Sequence, residues 1–262
     1  MFTIIIPTHD RPFLLQRTLA SLAAQTFTDF TTIVVSDSDK YVAPYQALQS
    51  LPGPYLYLLR NNTPGPATSR NLGIKLTDAD YALFLDDDDT LEPTHLEAIA
   101  AAINNRTDKA KSIFYCDFNI IEEDRSFTPP KFLNQRPISI PNLSRENIFV
   151  QNNIPNSCLI YPRSILQSAQ FDTSLILFED WDYLLGCLKK AALVYLPISS
   201  VNIHKSYLAG EQNIRRGNVN NELLIPTTHE IYRRHRSLNE TSRQQRIKRF
   251  EDLGIQLSTD QF

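Results

Sequence analysis

The stretch Tyr81-Ala-Leu-Phe-Leu-Asp-Asp-Asp-Asp89 sets four carboxylates directly after an apolar run. The run 81–85 is too short for an ordinary helix and predicts a buried strand. Asp86, Asp87, Asp88 and Asp89 repel one another and lose hydration there, so something positive should meet them. An extended chain puts alternate side chains on one face, pairing Asp86 with Asp88 and Asp87 with Asp89. Two carboxylates on one face, with open positions beyond, suit a hard divalent cation that keeps waters and binds substrate phosphates. The plainer alternative is a solvated acidic loop with Asp89 capping the next helix. Placement at the carboxyl end of an apolar strand, where open α/β sheets bind ligands, favours the cation.

The elements that must hold these groups are legible around them. Residues 2–6 read as a strand stopped by Pro7. Pro12 then opens a helix over 13–24, with Leu14, Leu15, Leu19 and Leu22 at helical spacing. Residues 31–35 form a second strand, 45–51 a short helix, 55–59 a third strand and 67–76 a helix. This alternation predicts a parallel, doubly wound sheet. Thr8, His9 and Asp10, then Asp37 and Asp39, then the aspartate run, all fall at strand ends on one edge, where a nucleotide would sit. Neither GxGxxG nor a Walker-type Gly-Lys-Ser/Thr occurs, which argues against a dehydrogenase or an NTPase. Phosphate is then left to a metal and to isolated cations. Arg70 is the candidate, with an ordinary surface arginine as the alternative.

At 262 residues, 42% hydrophobic and 21% charged, the chain is ordinary globular material for one large domain or two small ones. A net charge of -3 gives no bias toward nucleic acid. Cys116, Cys158 and Cys187 are odd in number and far apart, which fits buried thiols of a reducing compartment. The opening residues lack a basic leader region, and no window reaches the roughly 20 apolar residues of a spanning helix. These features predict a cytosolic protein that touches a membrane at most from its surface.

Further on, 113–118 reads as a strand and the Pro-rich tract 122–141 as a flexible loop. Residues 157–161 form a strand and 162–167 a short helix. Phe178-Glu179-Asp180-Trp181 opens a helix over 182–192, where a carboxylate could simply cap free amides. A strand at 192–196 leads to Val201-Asn-Ile-His-Lys205. The basic, weakly amphipathic segment 230–250 suits an anionic membrane, a solvated surface helix or an oligomer contact equally well.

Several of these motifs together resemble the family 2 glycosyltransferases, over roughly residues 2–205. They are Ile5-Ile-Pro-Thr-His-Asp-Arg-Pro12, Ser21-Leu-x-x-Gln25-Thr-Phe27, Ile33-Val-Val35 with Asp37, Ser69-Arg-Asn-Leu-Gly73, Phe84-Leu-Asp-x-Asp-Asp89 and Phe178-Glu-Asp-Trp-Asp182. The resemblance implies an α/β GT-A fold, a mixed, mostly parallel sheet flanked by helices with a helical C-terminal tail. It implies a sugar-nucleotide-binding half at 1–118, an acceptor-binding half at 119–209 and a basic helical extension at 210–262.

In that frame Asp180 becomes the general base and Glu179 its orienting partner. Asp86 and Asp88 become metal ligands for Mn2+ or Mg2+, with His204 as a further ligand. Pro7, Thr8, His9 and Asp37 line the base, although Ser36-Asp37-Ser38-Asp39 departs from the family's Asp-Asp-Gly-Ser element. Arg70, Asp86, Asp87 and Trp181 contact the donor or acceptor, with core packing as the alternative for Trp181. Lys205 and Tyr207 become diphosphate contacts. The implied reaction moves a sugar, from a UDP-sugar first among donors, to a hydroxyl of a saccharide or lipid-linked saccharide, with inversion. A non-catalytic sugar-nucleotide-binding scaffold and a sugar-phosphate nucleotidyltransferase are the alternatives.

Overall fold

The computed structural model describes residues 1–61, 63–206 and 221–255. In chain order its first half reads β1 (Phe2–Thr8), α1 (Pro12–Ala23), β2 (Phe30–Ser36), α2 (Tyr45–Gln49), β3 (Tyr55–Leu59), α3 (Pro66–Leu76), β4 (Tyr81–Phe84), β5 (Thr90–Leu91) and α4 (His95–Asn104). Then come β6 (Ser112–Asp124), β7 (Lys131–Ile138), α5 (Arg145–Val150), β8 (Leu159–Pro162), α6 (Arg163–Leu166), α7 (Glu179–Leu188), β9 (Ala192–Lys205), α8 (Asn221–Arg234) and α9 (Glu240–Glu251).

All these strands join one sheet, ordered β3-β2-β1-β4-β8-β6-β9-β5, with β7 also paired on β6. The pairings make β1, β2, β3, β4, β6 and β9 run one way, and β5, β7 and β8 the other. This is the expected α/β class, a mixed and mostly parallel sheet flanked by helices. Strand β6 runs through residues 118 and 119, so the two expected halves share it. The apolar runs of β1, β2, β4 and β8 are buried on both faces, which is why they read as continuous rather than alternating.

Strand β1 continues past Pro7 to Thr8, contrary to the expected stop. Alternation along β1 puts the proline nitrogen on the β4 side, where pairing ends at Ile5 opposite Phe84. No acceptor there needs the missing N–H, and β2 still pairs through Thr8 opposite Ser36.

The tract 122–141 is likewise not a loop. Strand β6 extends to Asp124 and returns as β7, antiparallel to it. Residues 131–137 of β7 are exposed, so the strand carries no apolar alternation to betray it.

The basic segment forms two docked helices, α8 and α9. Ile231, Tyr232, Ile247 and Phe250 are buried, and so is Arg246. Arg246 Nε donates to Phe149 O (2.9 Å) and Nη1 to His235 O (2.7 Å), carbonyls at the ends of α5 and α8. Its guanidinium also lies 4.2 Å from the Tyr232 ring centroid. Helix C-termini leave such carbonyls without partners, and a cation satisfies them best. Arg249 bonds Val150 O, Arg233 and Arg234 pair with Glu230, and Arg243 pairs with Glu240. Much of the basic charge is thus paired within the chain, at the surface for Arg233 and Arg243 and in the interior for Arg246. Among the described residues no helix is long and apolar enough to cross a membrane.

Gly73 brings α3 against β1. A Cβ built there would lie 2.4 Å from Ile5 Cγ2. Gly73→Ala should therefore cost about 1–3 kcal/mol through overpacking. The check is a thermal melt, with a drop of roughly 3–10 °C expected for a chain of this size; an unchanged midpoint would show that α3 can shift freely.

Candidate functional site

Beyond Phe84 the four aspartates do not continue as a strand. Asp89 N donates to Asp86 O at 3.1 Å, closing a tight turn. The expected alternation therefore fails, because a turn re-aims side chains that a strand would separate. Oxygens of Asp86, Asp88 and Asp89 lie within 4.8 Å of one another. Asp87 turns aside, is 1% exposed, and accepts from Thr8 Oγ1 at 2.7 Å. Its carboxyl is pushed up to about 6, chiefly by burial.

Helix α1 holds this turn. Arg17 Nη2 donates to Asp88 O (2.8 Å) and Thr18 Oγ1 to Asp89 O (2.7 Å). Gln25 donates to Glu92 O and accepts from Leu96 N, while Ser21 Oγ accepts from Leu91 N. The Ser21 and Gln25 signature is thus scaffolding for the aspartates. Ser157 Oγ, before β8, donates to Asp89 Oδ2 at 2.8 Å.

Three convergent carboxylates form a hard, all-oxygen donor set that fits a divalent cation such as Mg2+ or Mn2+. Among the described residues this triple does not include His204. The imidazole has Nε2 2.9 Å from Thr90 Oγ1 and Nδ1 3.1 Å from Glu123 Oε2. Burial holds its pKa below the usual histidine value. His204 so placed backs Glu123, and its backbone N–H donates to Asp89 Oδ1 at 3.2 Å.

Besides Arg70, the positive charge that the aspartates demand comes from three further arginines. Arg11 Nη2 lies 3.1 Å from Asp87 Oδ1, and Arg125 Nη1 donates to Asp88 Oδ2 at 3.0 Å. Arg17 and Arg125 both pair with Glu123. Only the charge argument signalled these partners, since Arg125 is 37 residues from Asp88.

Arg70 does meet the aspartates. Its guanidinium donates to Asp86 Oδ1 and to Glu179 Oε1, both at 2.9 Å. One buried side chain thus joins the aspartate turn to the start of α7. Burial alone would lower its pKa, but Asp86, Glu179 and Asp180 outweigh this and hold it above arginine's usual value. The neighbours of Arg70 fix its helix. Ser69 Oγ accepts from Arg60 Nε (2.9 Å), and the Asn71 amide exchanges two bonds with the Phe171 backbone (2.8 and 2.9 Å).

Helix α7 begins at Glu179, three residues earlier than expected. Phe178 precedes it with φ of 62°, a left-handed conformation that is strained for an aromatic residue. Asp180 Oδ1 accepts from Trp181 N at 2.7 Å. Burial first, then the charge of Glu179, pushes the Asp180 carboxyl up to about 6. Trp181 is 2% exposed and donates through Nε1 to Ile148 O, so it is core and not a sugar platform.

At the other end of the edge, Asp37 is buried. Its Oδ2 accepts from Arg60 Nη2 (3.0 Å) and Gly65 N (2.6 Å), and His9 Nδ1 lies 2.6 Å from Oδ1. Pro7 is buried, while the His9 side chain is 46% exposed. A small recess beside them is lined by Thr8, Asp10, Ser36, Ser38, Tyr41 and Tyr57. Lys205 ends β9, and Tyr207 lies outside the described residues.

The model of glycosyl transferase family 2 matches residues 3–166. The chain belongs to that family. An uncharacterized glycosyltransferase of Haemophilus influenzae is 26% identical over 235 residues, covering 88% of this chain and 77% of the relative. The succinoglycan biosynthesis protein ExoW of Rhizobium meliloti is 27% identical over 213 residues, covering 74% of this chain and 65% of that protein. The chain therefore spans just under two thirds of ExoW. Among solved structures, S. aureus TarS 1-349 in complex with UDP-GlcNAc aligns with a TM-score of 0.69 at 20% identity, over 94% of this chain and 70% of that one. That likeness establishes the GT-A architecture for this family 2 glycosyltransferase.

Proposed function

We propose that this family 2 member transfers a sugar from a nucleotide-diphosphate donor, a UDP-sugar in the first instance, to a hydroxyl of a saccharide or lipid-linked saccharide. The observation that carries the reading is Arg70, whose one guanidinium binds Asp86 of the aspartate turn and Glu179 beside Asp180. It sets the aspartate cluster next to a carboxylate with a raised pKa. The UDP-GlcNAc held by TarS supports a UDP donor, and the naming of ExoW for succinoglycan biosynthesis supports a saccharide acceptor.

Asp180 accepts the acceptor hydroxyl's proton as that oxygen attacks the anomeric carbon. Glu179, held by Arg70, orients the acceptor and keeps Asp180 aimed. One base opposite the leaving group gives in-line displacement, hence inversion. The recess beside Thr8 takes the base, with His9 at its rim. A divalent cation on Asp86, Asp88 and Asp89 would neutralise charge developing on the leaving diphosphate.

Calorimetry with UDP, GDP, CDP and dTDP, each with Mn2+, Mg2+ or chelator, tests this. UDP should bind only with metal, and Asp88→Asn should weaken that binding by about tenfold or more, a loss of ~1.4 kcal/mol or greater. Absence of nucleotide binding under every metal condition would sink the reading.

A further inference from the structure

Arg125 stands against the carboxylate that a divalent cation would need. The β6 register shifts between Glu122 and Glu123, and such a bulge re-aims the side chains beside it. Arg125 follows on the next turn, with its side chain 3% exposed against an Asp88 side chain 2% exposed. Its three nitrogens fork. Nε donates to Glu123 Oε1 at 2.7 Å, Nη2 to His204 O at 3.1 Å, and Nη1 to Asp88 Oδ2 at 3.0 Å. Two of the three bonds tether the guanidinium to its own hairpin and to β9. Only the third reaches the aspartate turn, so that bond can be surrendered while the arginine stays anchored.

We propose that Arg125 is a built-in counter-ion of Asp88 that competes with a divalent cation for its charge. It thereby sets the cation affinity and keeps the aspartate turn folded when no cation is bound. The inference rests on the cation reading of Asp86, Asp88 and Asp89 given above. Its physical basis is repulsion between like charges. A guanidinium held on one buried carboxylate repels a cation arriving at the same group, because water screens the two charges poorly at this depth, and the repulsion is relieved if the Arg125 bond to Asp88 Oδ2 is given up. Arg11 Nη1, 3.4 Å from the same oxygen, adds to the effect, but its side chain is 35% exposed and better screened.

The test is titration of the full chain with MnCl2, without nucleotide, for the wild type, Arg125→Met and Arg125→Lys. Arg125→Met keeps the bulk and removes the charge. It should bind Mn2+ about tenfold more tightly or better, melt lower than the wild type in chelator, and recover on adding Mn2+. Arg125→Lys keeps the charge and should stay close to wild-type affinity. A merely structural arginine would instead leave Mn2+ affinity unchanged or weakened in Arg125→Met, and either result with a native circular dichroism spectrum overturns the proposal. Should Arg125→Met fail to fold, Arg125→Gln, which retains an amide donor, carries the same comparison. Equal affinities in all forms refute the role of Arg125 alone. No Mn2+ binding by any form refutes the cation site together with it.

Discussion

Asp180→Asn should lower turnover by about 10^2–10^4-fold, the range over which a positioned general base contributes. Binding of UDP and Mn2+ should stay nearly unchanged, because Asp180 lies outside the carboxylate triple formed by Asp86, Asp88 and Asp89. The pH profile gives a second reading of the same group. Burial and the neighbouring Glu179 charge raise this carboxyl to about 6. Only the ionised form can take a proton, so wild-type kcat/KM should fall as pH drops through about 6, and Asp180→Asn should lose that limb.

The stability sign is opposite. A carboxyl whose folded pKa exceeds its unfolded value destabilises the fold as pH rises from about 4 through 6. That rise to about 6 corresponds to roughly 2–3 kcal/mol at neutral pH. Asp180→Asn should therefore raise the melting point at pH 7 and not at pH 4. An Asn variant with wild-type turnover would remove Asp180 from the mechanism.

Arg70→Met should be the most damaging single change to the site. The arginine side chain is 5% exposed and neutralises Asp86 and Glu179 together. Removing one partner of a buried ion pair costs about 3–5 kcal/mol. Asp86 is 35% exposed, so solvent screens part of the loss and about 2–3 kcal/mol is the better expectation. That predicts a melting point lower by roughly 4–12 °C. Arg70 also holds the Asp180 pKa down, so the acid limb of the activity profile should move to higher pH in the variant. An unshifted limb would show that Arg70 and Asp180 are not electrostatically coupled. Arg70→Lys should rescue little, because a point charge cannot span two carboxylates as a planar fork does.

Much of the fold could be read directly, because buried parallel strands are written as short apolar runs and their helices as spaced leucines. The run 81–85 announced β4, and the alternation of the first ninety residues announced the doubly wound half. The strand β7 was hidden because residues 131–137 face water on both sides, leaving local sequence no reason to alternate. The C-terminal segment was misleading in the reverse sense. Its arginines look like a solvent face by composition, yet Arg246 lies in the interior and serves the carbonyls of Phe149 and His235.

The site divides along the same line. Residue types and order alone marked the aspartate run and nominated Arg70, while Glu179-Asp180 stood out from a simple helix cap only through the resemblance to the family. Types and order also required a positive partner for four adjacent carboxylates, because like charges without one could not be buried. Apart from Arg70, which arginines answer that demand was decided only by the tertiary structure. Arg11, Arg17 and Arg125 come from β1's exit loop, α1 and the β6–β7 hairpin, and meet the turn only when the sheet is assembled. The turn itself was decided there too. The Asp89-to-Asp86 hydrogen bond converts an expected two-by-two alternation into a convergent triple, and His204 and Trp181 take supporting places behind the site. Local sequence specifies what each residue can do, whereas long-range packing specifies which charges share a dielectric and at what distance.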